Sequence, residues 1–273
     1  MPEDSSQPPL QETLAAEPPA QRLSMIHLLG WMTASAVMLG AMWLLRRSQS
    51  IYPFGTFEWT AFEITFTIIR SAASGAALVG LFIWIARRVR KAPATLAPGG
   101  RLLAVMGAHS ILWLVPGIPL ILWVNYAFHD EALFETERVG IYASAFRLMT
   151  TYSNVTAAAV FFAAACVMRR PTRWGLLFAA IAIEELLQVA ATWLFTFGAL
   201  ALSESPLGLY CSNMAVCLRL LAPAALLAVI AVVVAIDLRR SRHGGWEHWS
   251  GVCALFALKA VDVVYAVRHW SWL

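Results

Sequence analysis

The sequence predicts an all-α integral membrane bundle of seven transmembrane helices, with the N-terminus inside and the C-terminus outside. Three observations carry that expectation. Of the 273 residues, 60% are hydrophobic and only 13% are charged, whereas soluble domains carry roughly 25% charged residues. Seven apolar runs each approach or exceed the roughly 20 residues that cross a hydrocarbon core as a helix. None of them alternates with a sustained period of two, and each exceeds the roughly 9–11 residues of a barrel strand. Helices are then the remaining way to satisfy backbone groups in lipid.

Residues 1–22, MPEDSSQPPLQETLAAEPPAQR, are rich in Pro, Gln, Glu and Ser and hold too little apolar surface to offset the entropy of ordering. They read as a disordered cytoplasmic tail ahead of a single seven-helix domain, residues 23–273. The tail is acidic where a secretory signal begins basic, so the first helix, Leu23 to Leu45, is expected to be retained. The second run, Phe62 to Ala86, carries Glu63 and Arg70 and leads into ARRVRK. The third, Leu102 to Tyr126, contains LWLVPGIPLILWV, where Pro116 and Pro119 remove two backbone donors on either side of Gly117. A kink or break is expected there.

The fourth run, Ala143 to Met168, holds Arg147 and leads into MRRPTR. The fifth, Trp174 to Ala199, places Glu184 and Glu185 inside AIAIEELLQVAATWLF. The sixth, Asn213 to Ile236, holds Arg219 and leads into LRRSRH, and the seventh, Trp249 to Val267, holds Lys259 and Asp262.

Basic residues gather on the cytoplasmic side of short loops. With the N-terminus inside, twelve Lys and Arg fall on the inner side and four, Arg46, Arg47, Arg138 and Arg268, on the outer side. The recurring arginine strings after runs 2, 4 and 6 suggest three hairpins, 2 with 3, 4 with 5 and 6 with 7, behind a separate first helix. The orientation rule alone also produces such strings. Tryptophans near run ends, Trp174, Trp246, Trp249, Trp270 and Trp272, suit interfacial anchoring. A cytoplasmic membrane of bacterial type is the expected location, the lipid bilayer the first partner, and a membrane-protein partner or a second copy of the chain a further one. The pI near 9.1 suits anionic headgroups and gives no reason to invoke nucleic acid.

A charge at the centre of a spanning helix costs about 2.5–3.5 kcal/mol on insertion scales, so such residues face protein or water and are paired. Eight lie inside the runs: Glu63, Arg70, Arg147, Glu184, Glu185, Arg219, Lys259 and Asp262, four of each sign. At about 1.5 Å per residue, Glu184 and Lys259 both fall about 15 Å from the inner face. Arg70, Arg219 and Asp262 fall at a level nearer the outer face. Adjacent helical residues point about 100° apart, so Glu184 and Glu185 are expected to serve different neighbours. One glutamate is assigned to Lys259 and the other to Arg219 or Arg70, with Gln188 extending the polar face of Glu184 by one turn. The candidate cluster is therefore Glu184, Glu185, Gln188, Lys259, Asp262, Arg70 and Arg219.

Catalytic readings find little support. Cys166, Cys211, Cys217 and Cys253 show no metal-binding spacing. Cys211 and Cys217 are close enough in sequence for a disulfide in an oxidising compartment, although a packing role for these small apolar thiols is the preferred reading. His27 and His109 are the histidines within the runs, too few for a zinc site, so no metal and no cofactor is expected. A lone His109 reads as a hydrogen-bonded core residue. The Glu-Glu pair resembles intramembrane proteases of the CAAX-processing type in two letters. Their pattern needs an arginine four residues beyond the second glutamate, where this chain has Val189. A lysine in the seventh of seven helices with the N-terminus inside is similar to heliorhodopsins, and implies retinal on Lys259. That resemblance covers Lys259 and the helix count, and run 3 offers no acid as counterion. The reading is of a non-enzymatic multi-pass protein with a charge-paired core. The alternative is a small transporter or an ion- or proton-conducting protein using the same cluster.

Overall fold

A computed structural model of the chain describes residues 24–49, 61–90, 97–129, 135–168, 172–198, 205–239 and 245–270. Residues 1–22, read from sequence as a disordered tail, lie outside them. The described residues form seven α-helices: α1 (Met25–Gln49), α2 (Ala61–Val89), α3 (Pro98–His129), α4 (Glu135–Val167), α5 (Arg173–Thr196), α6 (Pro206–Arg239) and α7 (Trp246–Trp270). All seven are long and apolar enough to cross a membrane.

Local chemistry sets several helix starts. Thr172, extended at φ −98° and ψ 157°, accepts the Gly175 amide on its side chain and caps α5. Ser205 Oγ accepts the Gly208 amide at 3.1 Å ahead of α6, and α3 and α6 each begin with a proline, whose missing N–H is no loss at a first helical position. Two helices outrun their apolar stretches. α4 begins eight residues before Ala143, inside the acidic segment, and α6 begins seven before Asn213. Charged and polar residues outside an apolar run still form helix when the backbone continues in register, which hydropathy does not report.

α3 runs through Pro116 and Pro119 as one helix, and α6 runs through Pro223. Of the kink or break expected in α3, the break is absent, although two intrahelical hydrogen bonds are forfeited at the prolines. The extension of α6 also settles Cys211 and Cys217. Six residues apart on one helix, they are separated by about 9 Å of rise, beyond the Cα spacing a disulfide tolerates. Both are free thiols, Cys211 buried and Cys217 exposed.

Each helix packs on the next, and α7 also packs on α2 and α3. Helices α2 to α7 thus form a closed ring with α3 and α7 touching across it, while α1 lies outside against α2. The expected hairpin partners, 2 with 3, 4 with 5 and 6 with 7, are in contact. The interior enclosed by α3 to α7 is filled by Leu102, Leu103, Phe161, Leu177, Phe178, Ile181, Ile230 and Leu255, all nearly inaccessible.

Glycine brings the α3 and α7 backbones together. A Cβ on Gly99 would strike the backbone of His248, and one on Gly251 the carbonyl of Gly99. Close approach through small residues is the usual way helices associate when lipid removes the hydrophobic drive between them. Gly99→Val is therefore expected to cost at least the roughly 1–3 kcal/mol of overpacking, because backbone atoms have no rotamer to escape into. A thermal melt of the detergent-solubilised variant, compared with wild type, checks it.

Candidate functional site

The middle of α5 and the middle of α7 hold the charged residues. Glu184 lies 11 residues beyond Arg173, the first of α5, and Lys259 lies 13 beyond Trp246, the first of α7. That places them about 16 and 20 Å along helices that start at the same end of the bundle. The two side chains meet. Lys259 Nζ donates to Glu184 Oε2 at 2.5 Å and to Glu185 Oε1 at 2.8 Å. Gln188 Nε2 donates to Glu184 Oε1 at 3.1 Å from one turn further along α5.

This corrects the expected pairing. Glu184 and Glu185 do diverge by about 100°, but the ammonium sits in the notch between them, and its three fanned donors reach both. Neither glutamate pairs with Arg219 or Arg70 in the described contacts. Arg70 Nη2 lies 3.8 Å from Asp262 Oδ1, and Asp262 Oδ2 lies 3.9 Å from Lys259 Nζ. Arg219 is exposed and stands 5.3 Å over the Phe195 ring, away from the cluster. Sequence fixed its height along α6 but not the direction it faces.

Exposure rises steadily across the cluster. The side chain of Glu184 is 4% exposed, Lys259 8%, Glu185 14%, Asp262 30% and Arg70 44%. The cluster is thus closed at Glu184 and open at Arg70. Of the remaining charges, Glu63 is buried and Arg147 Nη2 donates to Ser144 Oγ at 3.1 Å. His109 Nε2 lies 3.0 Å from the Ser153 carbonyl, tying α3 to α4 as a hydrogen-bonded core residue.

A second polar knot lies where α5 and α7 begin and α6 ends. Asp237, at the end of α6 and 3% exposed, pairs with Arg173 and accepts from Trp174 Nε1 at 3.0 Å. His248 Nε2 is 3.6 Å from the same carboxylate, and His248 Nδ1 accepts the Gly99 amide at 3.1 Å. Beside it, Arg87 donates to both oxygens of Glu247, at 2.5 and 3.3 Å. Trp174 is 4% exposed and hydrogen-bonded, so it is a core residue and not the interfacial anchor its position suggested.

Sequence reasoning missed this knot. Asp237 falls one residue beyond the apolar run and directly before LRR, where an acid reads as solvated. The available signal was an aspartate between an apolar run and an arginine string. An Asp-His pair invites a catalytic reading, but Nδ1 of His248 is taken by the Gly99 amide, and the carboxylate 3.6 Å from its Nε2 is already engaged by Arg173 and Trp174. The position of His248 makes it the cap of α3, one of whose first amides otherwise lacks a partner. His248→Phe is expected to cost about 1 kcal/mol, the usual worth of such a cap. Faster amide hydrogen exchange confined to the first turn of α3 checks it.

The two polar groups are separated by the apolar layer of Leu177, Phe178, Ile181, Val252 and Leu255, all buried. Among the described residues no three His, Cys, Asp or Glu side chains converge as a metal-ligand set. Comparison with protein-family models, with curated proteins and with solved structures returns no match.

Proposed function

We propose that the chain is a non-enzymatic multi-pass membrane protein, N-terminus inside, whose buried charges hold its helices in register. The observation that carries this reading is Lys259. Its ammonium is enclosed by Glu184 and Glu185 at hydrogen-bond distance, with Asp262 beyond. These contacts join α5 to α7 across the interior of a ring in which the two are not an extensively packed pair. In lipid such a tie is directional in a way apolar packing is not, because separating the charges leaves each of them unpaired at low dielectric. A bacterial-type cytoplasmic membrane and a role as a partner or assembly subunit complete the proposal.

Conduction receives less support in this conformation. The apolar layer below Glu184 interrupts any polar path between the cluster and the Asp237 knot. The discriminating experiment reconstitutes wild type and Glu185→Gln in proteoliposomes. The structural reading expects neither to carry a proton current above empty vesicles. A current in wild type that vanishes in a folded Glu185→Gln protein sinks it.

The committed ammonium also bears on the heliorhodopsin resemblance. A Schiff base on Lys259 would have to break two hydrogen bonds to carboxylates. Purified protein mixed with retinal is expected to give no visible absorption band, and a red-shifted band would overturn this assignment.

A further inference from the structure

Each of the six ring helices turns a polar residue inward above the apolar core. Seven residues along a helix bring a side chain back to nearly the same direction, about 10 Å further on. The core residues Ala77 of α2, Leu102 of α3, Phe161 of α4, Ile181 of α5, Leu226 of α6 and Leu255 of α7 are all buried. Seven residues from each, on the side away from the Asp237 knot, stand Arg70, His109, Asn154, Gln188, Arg219 and Asp262. On every helix the residue one turn between the two is buried as well, Ala73 on α2, Ala157 on α4 and Ala222 on α6 among them.

This belt is open where the core beneath it is closed. The Arg70 and Asp262 side chains are 44% and 30% exposed, Arg219 is exposed, and His109, Asn154 and Gln188 are half-buried. Each shares its helix face with core residues, so the exposure is toward the inside of the ring and not toward lipid. Contacts across the ring agree. Arg70 lies 3.8 Å from Asp262, and His109 is within electrostatic reach of Arg70 and Lys259. Arg219 reaches both neighbours of α6, standing over Phe195 of α5 and within electrostatic reach of Tyr265 of α7. Asn154 lies inside the apolar span Arg147–Val167, and its amide makes no hydrogen bond among the described residues. An unpaired amide is costly in hydrocarbon and costs nothing against water.

We infer that the belt lines a water-filled vestibule that binds a small organic carboxylate at Arg219. Phe178, Ile181 and Leu255 close its floor, and it opens at the end of the bundle away from Asp237. Among the described residues the carboxylates of this region are already engaged, Glu184 and Glu185 by Lys259 and Asp262 by Arg70 and Lys259, whereas Arg219 contacts none. A planar guanidinium takes both oxygens of a carboxylate in parallel hydrogen bonds, and the Phe195 ring beneath it offers a face to an apolar body. Phe195 lies seven residues outward of Gln188, so an anion on Arg219 stands at the mouth of the vestibule, across the route to Asn154. Lys259 keeps its glutamates throughout, so this site is separate from the tie that joins α5 to α7. The inference rests on the proposed membrane setting.

Cysteine accessibility in proteoliposomes tests it, with a charged, membrane-impermeant thiol reagent and with the labelling of native Cys166, Cys217 and Cys253 read from wild type as background. Asn154→Cys is expected to be labelled. Val155→Cys, at a neighbouring position 45% exposed on the lipid side, is expected to stay unlabelled. Thr150→Cys, one turn outward on the face of Asn154, gives the same decision should Asn154→Cys not fold. Benzoate is the probe for the ligand, and is expected to slow the labelling of Asn154→Cys. Benzamide, of similar shape and uncharged, is expected to leave it unchanged, and adding Arg219→Gln is expected to abolish the protection by benzoate while labelling persists. No labelling at position 154 or 150, or labelling as fast at 155, overturns the vestibule. Labelling that benzoate does not slow, or slows equally with Arg219→Gln, overturns the carboxylate site.

Discussion

Lys259→Met is expected to destabilise the protein by about 3–5 kcal/mol, the range for removing one member of a buried ion pair. Methionine fills nearly the same volume, so the loss is electrostatic. Glu184 and Glu185 are left without the cation between them, with Gln188 as the remaining donor to Glu184 among the described contacts, and α5 loses its link to α7. Acidification should shrink the deficit, because protonation discharges two carboxylates that no longer have a cation. Melting of the purified protein across a pH series measures both effects. The triple variant Glu184→Gln, Glu185→Gln, Lys259→Met removes all three charges together, and is expected to recover most of the loss, since well-packed neutral replacements of buried ion pairs are often neutral or stabilising. A Lys259→Met protein as stable as wild type at every pH would show that the tie contributes nothing.

Asp237→Ala is expected to be comparably severe, about 3–5 kcal/mol. One carboxylate serves Arg173, Trp174 Nε1 and the facing His248 Nε2. Its removal strands a guanidinium and an indole donor, and each buried donor left unmade costs about 1–3 kcal/mol. The damage should concentrate where α5 and α7 start and α6 ends. Hydrogen exchange is expected to rise there and stay low around Glu184, some 16 Å away along α5. Combining Asp237→Leu with Arg173→Met removes the principal charges together and is expected to recover part of the stability. Uniformly faster exchange along all of α5 would contradict a local knot.

These two clusters were unequally legible in the sequence. Glu184, Gln188, Lys259 and Asp262 stand inside apolar runs, where a charge is conspicuous, and the constant rise of a helix converts sequence position into height. Lys259 and Glu184 meet at the level that counting assigned. Arg219 shows the limit, because height says nothing about azimuth, and it turns toward Phe195. Asp237 and His248 lay at run ends, where charges are ordinary, so composition gave no reason to single them out. Their importance comes from α5, α6 and α7 converging at one end with Gly99 of α3.

What the sequence determined by itself is the number of helices, their apolar character and the position of each charge along its helix, because run length and rise per residue are local quantities. Partner choice was decided only by the tertiary structure. A rotation of one residue turns a side chain by about 100°, and that rotation is set by how glycines and core side chains seat neighbouring helices. The same packing put one ammonium between two glutamates instead of giving each its own cation.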